Sequence, residues 1–340
     1  MRVLKRILIG LVVLVALLAG VGMMLPQKVH VERSATIAAP PATVFTVLNG
    51  FVQFNKWSPW FDLDPKAQYT YEGPARGVGA RMSWKGDPKK SGSGSQEIVE
   101  SRPFELVKSN LDFGDQGKAV AQFALSGEAA GTKVVWSLDS DMGMGPVGRY
   151  FGLMMDSMVG KDYEKGLAKL KAFVEGMPKA DFSDLKVEEV QVSPVTVAYL
   201  ATSSSQEEQE IAKTIGASYG QIGKFMAARK LKQTGSPMTI NTKWADSRYE
   251  FDAAIPVDRV PETEVASDSP VKIKETYSGK ALKVIHTGSY HDMHGTYEKL
   301  MAYMTANGYE SAGPPWDEYV SDPGNTPEPE LITNIIMPIK

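Results

Sequence analysis

An uninterrupted apolar run lies near the N-terminus, from Ile7 to Leu25, directly after the basic residues Arg2, Lys5 and Arg6. As an α-helix, these roughly 19 residues extend about 28 Å, close to the ~30 Å hydrocarbon thickness of a bilayer. Because no polar face interrupts the run, a buried helix of a soluble core explains it poorly. The pattern predicts a cytoplasmic flank and membrane anchor over residues 1–27, with the basic residues inside by the positive-inside rule.

A cleaved signal peptide is the competing interpretation of this run. Signal peptides usually have an apolar region of ~7–15 residues that ends in a small-x-small cleavage site. Ala19, Gly20 and Gly22 provide a poor cleavage signal. We therefore expect a single-pass protein of the inner (plasma) membrane, with residues 28–340 in the periplasm. Secretion after signal cleavage is the alternative.

Strand-like alternation and then one long helical pattern follow the anchor. The stretch Val29–Ile37 leads into a short helix that Pro40 and Pro41 start. Further strand-like segments predict an antiparallel meander near residues 67–72, 78–85, 95–101, 104–110, 118–126 and 132–141. A helical period runs from Val147 to Val174, and we expect this helix to close the concave sheet. Its broad apolar face comprises Tyr150, Leu153, Met154, Met158, Leu167, Leu170 and Phe173.

A second set of strand and helix patterns begins after a linker, which Gly and Pro residues place at 177–185. The predicted elements are a strand at 187–200, a helix at 206–231, two strands at 238–257, strand material at 271–284, a helix at 289–307, and closing strands around Tyr319 and Ile335. This order contains two successive strand-helix-strand-strand units. It predicts a pseudo-duplicated α+β domain over residues 186–340, whose two sheet halves meet at a cleft.

Composition narrows the class of protein. The chain has 340 residues, 43% of them hydrophobic and 23% charged, which is typical of about two globular domains. A net charge of −3 provides no basic field, and no helix-turn-helix or zinc-finger pattern is present, so we expect no nucleic-acid partner. The absence of cysteine excludes disulfides, thiol nucleophiles and thiolate metal sites.

The first predicted domain carries motifs that resemble a known superfamily. The residues Val31–Ile37, the helix entry Pro40–Phe45 and the segment Trp57–Trp60 resemble the START-like superfamily that includes polyketide cyclases. The resemblance covers about residues 30–176 and implies a helix-grip fold, with a hydrophobic cavity between the sheet and the long helix. It implies little about chemistry. The candidate cavity residues are Trp57, Trp60, Phe61, Tyr69, Tyr71 and Trp84, each with ordinary core packing as its alternative role.

The second predicted domain carries a more specific set of motifs. They are His286–Tyr290, Thr296–Leu300, Asn307–Tyr309, Trp316–Tyr319, Asp322-Pro323 and Ile335–Ile339. Across about residues 186–340 the chain resembles the GyrI-like, or bacterial transcription activator effector-binding, domain family. The resemblance implies binding of small, often hydrophobic or cationic molecules in an aromatic cleft with a central acid. Some members of that family are described as hydrolases of strained, electrophilic cyclopropanoid compounds.

Two positions depart from the pattern of that family. The family usually has Glu two residues before the strand Tyr, whereas this chain has Asp317. The last strand often reads Thr-Glu-Ile in the family but Thr333-Asn334-Ile335 here, which removes one charge. With these motifs, the expected fold class is α+β throughout: an N-terminal transmembrane helix, a helix-grip antiparallel sheet domain at 28–176 and the effector-binding domain.

Carboxylates stand beside aromatic residues near the C-terminus, in the segment Trp316-Asp317-Glu318-Tyr319. A strand that turns an acid and a Tyr toward one face indicates a pocket for an apolar or cationic ligand. A poorly solvated carboxylate and cation–π contacts would supply the selectivity. Further candidates for stacking on a ligand, each with a core or surface role as its alternative, are Tyr199, Tyr219, Trp244 and Tyr290.

Three histidines raise the question of a metal site. His291 and His294 are three residues apart on a predicted helix, and His286 precedes them. Because no carboxylate set is fixed beside them by spacing, and His286 belongs to the strand-to-helix turn of the family motif, we expect neither a metal nor a cofactor.

These patterns together predict membrane-anchored binding of hydrophobic or cationic small molecules by two tandem domains, which we favour over catalysis. One alternative is a hydrolase, in which Asp317 or Glu318 is the general base and Tyr319 the proton donor. Another is an envelope protein-interaction module, in which side chains fill both clefts. The sequence leaves the oligomeric state open.

Overall fold

The computed structural model describes residues 2–245, 247–262 and 265–340. The chain divides into two units. The first contains the chain up to Asp181 together with Thr305–Gly308, and the second contains Phe182–Met304 and Tyr309–Lys340. In both units, an antiparallel sheet is packed against helices.

The N-terminal apolar run forms helix α1, Arg2–Met24. Its segment Leu4–Met24 is long and apolar enough to cross a membrane, and a signal sequence passes the same test. Nearly all of its apolar side chains are exposed. The predicted apolar helix is therefore present, and it fits either a membrane span or a signal sequence.

The first unit contains one sheet and four further helices among the described residues. The elements are β1 Lys28–Ile37, α2 Pro41–Leu48, α3 Phe54–Trp57, α4 Pro59–Leu63, β2 Gln68–Glu72, β3 Arg81–Lys85, β4 Ser93–Arg102, β5 Leu106–Asp112, β6 Lys118–Glu128, β7 Gly131–Asp141 and α5 Pro146–Glu175. The sheet order is β1-β7-β6-β5-β4-β3-β2, with antiparallel neighbours, so the predicted meander is confirmed. Strand β6 shows the pleat clearly, because Ala119, Ala121, Phe123 and Leu125 are buried in alternation.

Helix α5 packs on this sheet through its C-terminal half, where Tyr163, Leu167 and Leu170 are buried. Two glycines allow close approach. A Cβ at Gly160 would lie 2.2 Å from the Arg33 guanidinium, and one at Gly166 would lie 2.7 Å from the Trp136 ring. The predicted broad apolar face is therefore wrong for the N-terminal half of the helix, where the apolar side chains Leu153, Met154 and Met158 are exposed.

The second unit contains a larger sheet with two helices. The elements are β8 Val187–Val192, β9 Thr196–Ser205, α6 Glu208–Ala228, β10 Met238–Ala245, β11 Arg248–Pro256, β12 Lys272–Glu275, β13 Gly279–Thr287, α7 Met293–Asn307, β14 Trp316–Tyr319 and β15 Ile332–Pro338. The sheet order is β12-β9-β11-β10-β14-β15-β13-β8, again with antiparallel neighbours.

Three predicted elements of this unit have different bounds in the structure. The strand predicted at 187–200 is two strands, because Pro194 lies between them and has no N–H to donate to a ladder. The strand material predicted at 271–284 is likewise divided between β12 and β13. Helix α6 ends at Ala228 rather than 231, since Lys230 adopts a left-handed φ of 53° and the Leu231 N–H bonds back to the Met226 carbonyl.

The register of the second sheet shows where the two helices lie. Ala253, Thr239, Asp317, Ile335 and Val284 are directly opposite one another across five neighbouring strands. Directly opposite residues share a face of the sheet. The first of these belongs to the core beneath α6, and the last two belong to the core beneath α7. The two helices therefore cover the same face, and the β10–β14 junction lies between their two cores.

Candidate ligand-binding site

A buried carboxylate lies at the β10–β14 junction. The side chain of Asp317 is on the helix-covered face, and the residue is only 4% exposed. Its Oδ1 accepts a hydrogen bond of 2.6 Å from the Tyr297 hydroxyl of α7. Its Oδ2 accepts bonds of 2.9 Å from the Asn241 amide and 3.4 Å from the Thr239 hydroxyl, both on β10. A carboxylate has about four acceptor positions, so these three donors leave capacity for one more partner.

The electrostatic environment of this carboxylate is unusual. Burial raises the pKa of Asp317 to about 6, while the hydrogen bonds from Tyr297, Asn241 and Thr239 oppose the rise. No lysine or arginine of the described ranges is ion-paired with it, and the charged form of His286 would be a weaker influence. His286 itself is bonded to the Thr296 hydroxyl and the Ser289 carbonyl, each at 2.9 Å. Asp317 is therefore a buried anion without a cationic partner inside this part of the protein.

Tyrosine side chains surround the carboxylate. The Tyr319 hydroxyl lies 3.1 Å from the Thr239 hydroxyl, and the Tyr290 ring meets the Tyr319 ring edge-on at 5.5 Å. The Tyr249 hydroxyl donates to the Asn241 side-chain oxygen. Burial, with the nearby Asp317 charge, raises the pKa of Tyr249, Tyr297 and Tyr319. These phenols consequently stay neutral and serve as donors and aromatic walls.

One hydroxyl at the site lacks a partner. The Tyr219 side-chain oxygen, carried by α6, is buried and forms no hydrogen bond within the described part of the chain. Burial raises its pKa, and Tyr249, Asp317 and Tyr290 are near enough to add to the effect. An unmet buried hydroxyl costs free energy of about 1–3 kcal/mol. It marks a position where a ligand atom would gain a hydrogen bond.

Several predicted site residues lie elsewhere on the same sheet. Trp316 and Glu318 point to the opposite face from Asp317, because side chains alternate along β14. There the Trp316 indole N–H donates to the Glu318 carboxylate at 3.1 Å, and the Asn334 amide donates to the same group at 3.1 Å. Tyr199 packs in the core cluster of that face with Trp316, and the Lys274 ammonium lies 4.4 Å from its ring centroid.

Trp244 is at the edge of the candidate site. Its exposed ring lies 5.0 Å from the ring of Tyr249, which in turn stacks on Phe251 at 4.4 Å. The structure thus brings together Asp317, Tyr319, Tyr219 and Tyr290 of the predicted residues. It leaves Trp244 peripheral and separates Trp316, Glu318 and Tyr199 from the site.

The predicted aromatic residues of the first unit form part of a different cluster. Trp57 is 1% exposed and packs edge-on against Phe123 and Trp136, while Trp60 packs against Trp136 and Tyr163. The indole N–H groups of Trp57 and Trp136 are buried, with no acceptor among the described residues. Of the other predicted cavity residues, Trp84 packs against Phe113 instead, and Phe61 lies beside Tyr69.

Sequence reasoning missed four residues of the Asp317 site. Tyr297 was part of a recognised helix motif, but its helical position does not show that it reaches a strand. Thr239 and Asn241 carry a usable signal, because these two polar residues alternate with the apolar Met238 and Ile240 at the start of the strand. Tyr249 lies two residues before Phe251 on the neighbouring strand, so the two rings share one face.

The histidines do not form a metal site within the described residues, where no group of three His, Asp or Glu side chains is arranged to hold an ion. His291 lies 3.4 Å from Glu208, and His294 lies 3.4 Å from Glu298 one turn further along α7. Both pairs are exposed, so they contribute little to stability.

The two antiparallel α+β units, one of which holds a buried acid among tyrosines, each match a family model. Residues 28–175 match the family described as polyketide cyclase / dehydrase and lipid transport, and residues 185–340 match the GyrI-like small molecule binding domain family. The two family models match the chain in that order.

Solved structures similar to the chain align with about half of it. The EcmrR C-terminal domain is 18% identical, with a TM-score of 0.41, over 46% of this chain and 98% of its own. A protein from Chromobacterium violaceum is 19% identical, with a TM-score of 0.31, over 44% of this chain and 99% of its own. A hydrolase from Listeria innocua is 15% identical, with a TM-score of 0.34, over 46% of this chain and 92% of its own. No curated protein matches the chain.

Proposed function

We propose that this is a membrane-anchored protein that binds hydrophobic cations, with Asp317 as the counter-charge. The observation that carries the proposal is the buried carboxylate, 4% exposed, enclosed by tyrosines and unpaired with any lysine or arginine of the described residues. Burying an anion without a counter-ion destabilises the fold. A ligand that supplies the positive charge would compensate this destabilisation. Proteins keep such perturbed groups chiefly at functional sites.

The walls of the site suit the same ligand class. Neutral phenol rings present negative faces to a cation, and a desolvated cation–π contact contributes about 2 kcal/mol. Tyr290 and Tyr319 are half-buried and already packed edge to face. The unpartnered Tyr219 hydroxyl supports a ligand that also carries a hydrogen-bond acceptor. The favoured ligand is therefore an aromatic or aliphatic cation with one polar atom away from its charge.

The position of the site supports a pseudo-duplicated second domain. Strands β9, β10 and β11 with α6 form one strand-helix-strand-strand unit, and β13, β14 and β15 with α7 form the other. Their order in the sheet, β9-β11-β10 followed by β14-β15-β13, reads as two halves of opposite order. The first strands after the two helices, β10 and β14, meet at the centre. A ligand at Asp317 would thus lie where the two halves join.

Membrane anchoring by α1 fits this ligand class. Hydrophobic cations partition into membranes, so a tether keeps both domains where such molecules are concentrated. The basic residues Arg2, Lys5 and Arg6 orient the helix with the soluble domains outside the cytoplasm. In the first domain, the unsatisfied indole N–H groups of Trp57 and Trp136 support a second apolar site for a ligand with an acceptor atom.

Hydrolysis is the second candidate, favoured by the pKa of Asp317. A general base works best with a pKa near the ambient pH, and burial raises that of Asp317 to about 6. Asp317 would take a proton from water as the water oxygen attacks an electrophilic ring carbon. Tyr319 would give its proton to the leaving oxygen as the ring bond breaks. The third alternative, a protein-interaction module, predicts that no small molecule binds.

The test compares trimethylphenylammonium with its neutral isostere tert-butylbenzene. Calorimetry on the full chain in detergent should show a preference of about 30-fold for the cation near neutral pH, the equivalent of one desolvated cation–π contact. Asp317→Asn removes the counter-charge but keeps the tyrosine walls, so it should reduce the preference sharply. Glu318→Gln removes the neighbouring carboxylate on the opposite face and should leave the preference intact.

Equal affinity for the two isosteres in the unmodified chain would refute the proposal. A loss of preference in both variants would show that net charge, rather than Asp317, selects the cation. Incubation with styrene oxide, followed by product analysis, separates binding from hydrolysis. Formation of the diol that stops in Asp317→Asn would establish the enzyme instead.

A further inference from the structure

An unpartnered apolar stripe runs along the first half of α5. It consists of Val147, Phe151, Met154 and Met158, which are 80%, 48%, 54% and 48% exposed. Their spacing of four, three and four residues places them on one side of the helix. Exposed apolar side chains are normal when scattered, but a contiguous stripe indicates a surface that another apolar phase covers. We name these four residues the α5 stripe.

The start of α5 is joined directly to the end of α1. The Tyr150 hydroxyl donates to the Leu18 carbonyl at 2.8 Å, and the Arg149 guanidinium donates to the Leu25 carbonyl at 3.1 Å. Gly22 allows this approach, because a Cβ there would lie 2.6 Å from the Pro146 Cβ. The α5 stripe therefore begins beside the helix that is long and apolar enough to cross a membrane.

These contacts fix the depth at which α5 would meet a bilayer. Leu18 precedes the end of α1 at Met24 by six residues, or about 9 Å along the helix axis. Tyr150 reaches back to that level. Interfacial helices bury their apolar faces about 5–10 Å into the boundary between headgroups and acyl chains, and tyrosines favour that boundary. Both the depth of the Tyr150 contact and the presence of a tyrosine there are those of an interfacial helix.

The charges that follow the α5 stripe suit a lipid headgroup region. Lys161 and Lys165 continue the same side of the helix one and two turns beyond Met158, and both are exposed, although the Lys165 ammonium lies 3.6 Å from the Asp62 carboxylate. The acidic neighbours Asp156 and Glu164 are both bonded to Arg33, which reduces their repulsion of anionic lipids. Exposed lysines beside an apolar stripe can reach anionic headgroups when the helix lies in the plane of the interface.

We propose that the α5 stripe inserts into the outer surface of the bilayer that α1 crosses, so that the first domain docks on the membrane rather than hanging from a tether. The proposal rests on the membrane anchoring stated under the proposed function. A docked α5 would hold the START-like domain against the phase in which apolar ligands are dissolved. A second protein copy as the occupant would be an outcome of the test.

The natural absence of cysteine makes the test direct. Single-cysteine forms of the full chain, Phe151→Cys and Met154→Cys, are labelled with a polarity-sensitive nitrobenzoxadiazole dye. They are reconstituted in phosphatidylcholine and phosphatidylglycerol vesicles, with or without brominated acyl chains. Val13→Cys, inside α1, reports anchoring. Ala129→Cys, in the β6–β7 turn, is the control, because it lies about 30 Å along β1 and β7 from the α1 junction.

Docking predicts an order of quenching by bromine: strongest at Val13, intermediate at Phe151 and Met154, and absent at Ala129. Quenching at Val13 alone would overturn the docking proposal and leave membrane anchoring intact. No quenching at Val13 would overturn both. If the dyes at positions 151 and 154 report an apolar environment that depends on protein concentration and is not quenched by bromine, the stripe is covered by a second copy instead. Each labelled form must retain the far-ultraviolet circular dichroism of the unlabelled chain.

Discussion

Replacement of Asp317 by Asn removes a buried charge whose contribution to stability depends on pH. Burial raises the pKa of Asp317 from an ordinary value of 3.8 to about 6. Each pKa unit corresponds to about 1.36 kcal/mol, so the difference of roughly two units amounts to about 3 kcal/mol. Between these two pKa values the folded state holds a proton that the unfolded state has lost. Stability therefore falls as the pH rises from about 4 to about 6, and it stays lower above that range.

The Asp317→Asn chain lacks this titration, so its free energy of unfolding relative to wild type should increase by about 3 kcal/mol from pH ~4 to pH ~7. A second effect opposes the gain. The new amide keeps one oxygen, which can accept from the Asn241 amide as Oδ2 does, but its NH2 group would then face the Tyr297 hydroxyl, which donates to Oδ1 in the wild type. Two donors that face each other cost about 1–3 kcal/mol, but this cost does not vary with pH. The change with pH, rather than the absolute difference, is the prediction.

Urea unfolding of the full chain, followed by intrinsic fluorescence at several pH values, measures this change. Glu318→Gln is the matched control, since it removes a carboxylate from the next position of β14, on the opposite face. Its free energy of unfolding should follow the wild-type pH dependence. If the Asp317→Asn and wild-type curves run parallel from pH ~4 to pH ~7, Asp317 has no raised pKa and the electrostatic basis for cation binding is wrong.

Three further substitutions test separate features. Tyr297→Phe removes the 2.6 Å donor to Asp317, so the acidic limit of cation binding should move to higher pH, measured by calorimetry across pH; an unchanged limit would contradict the role of this bond. Tyr219→Phe removes an unpaired buried hydroxyl and should raise the free energy of unfolding in urea by about 1–3 kcal/mol, while weakening ligands that carry an acceptor. Gly131→Ala should destabilise the first domain by at least about 1–3 kcal/mol in urea, because Gly131 has a φ of 128° and the new Cβ would lie 2.1 Å from the Ile37 carbonyl oxygen.

Local pattern predicts the elements of this chain well. The antiparallel meander and the long helix α5 follow from period-two and helical repeats, and α5 begins and ends within one residue of its predicted bounds. The same repeats place Asp317 and Tyr319 on one face of β14. They do not show how much of an apolar helical face is covered. The exposure of the N-terminal half of the face predicted for α5 therefore could not be predicted. Coverage depends on the length of the sheet beneath the helix, which no local repeat encodes.

The partners of Asp317 depend on long-range register. Asn241 and Thr239 reach it only because β10 and β14 pair, and this pairing joins residues 76 and 78 positions apart in the chain. A shift of one residue in that register would turn both side chains to the other face. The sequence motif therefore indicates an acid beside aromatic residues. Which of the two carboxylates, Asp317 or Glu318, lies in the site follows only from the assembled sheet.

The assembled site carries two unmet requirements, and their sizes indicate how a ligand would act on the fold. The buried Asp317 lowers stability by about 3 kcal/mol at neutral pH. A ligand that binds only the folded state restores about 2.7 kcal/mol when its concentration is about 100 times its Kd. A cation at that concentration would nearly offset the cost of the buried charge, and an acceptor atom at Tyr219 would satisfy the remaining hydroxyl. The second domain should therefore be markedly more resistant to urea when a matching cation is present, and this gain should vanish below pH ~5, where Asp317 is mostly protonated.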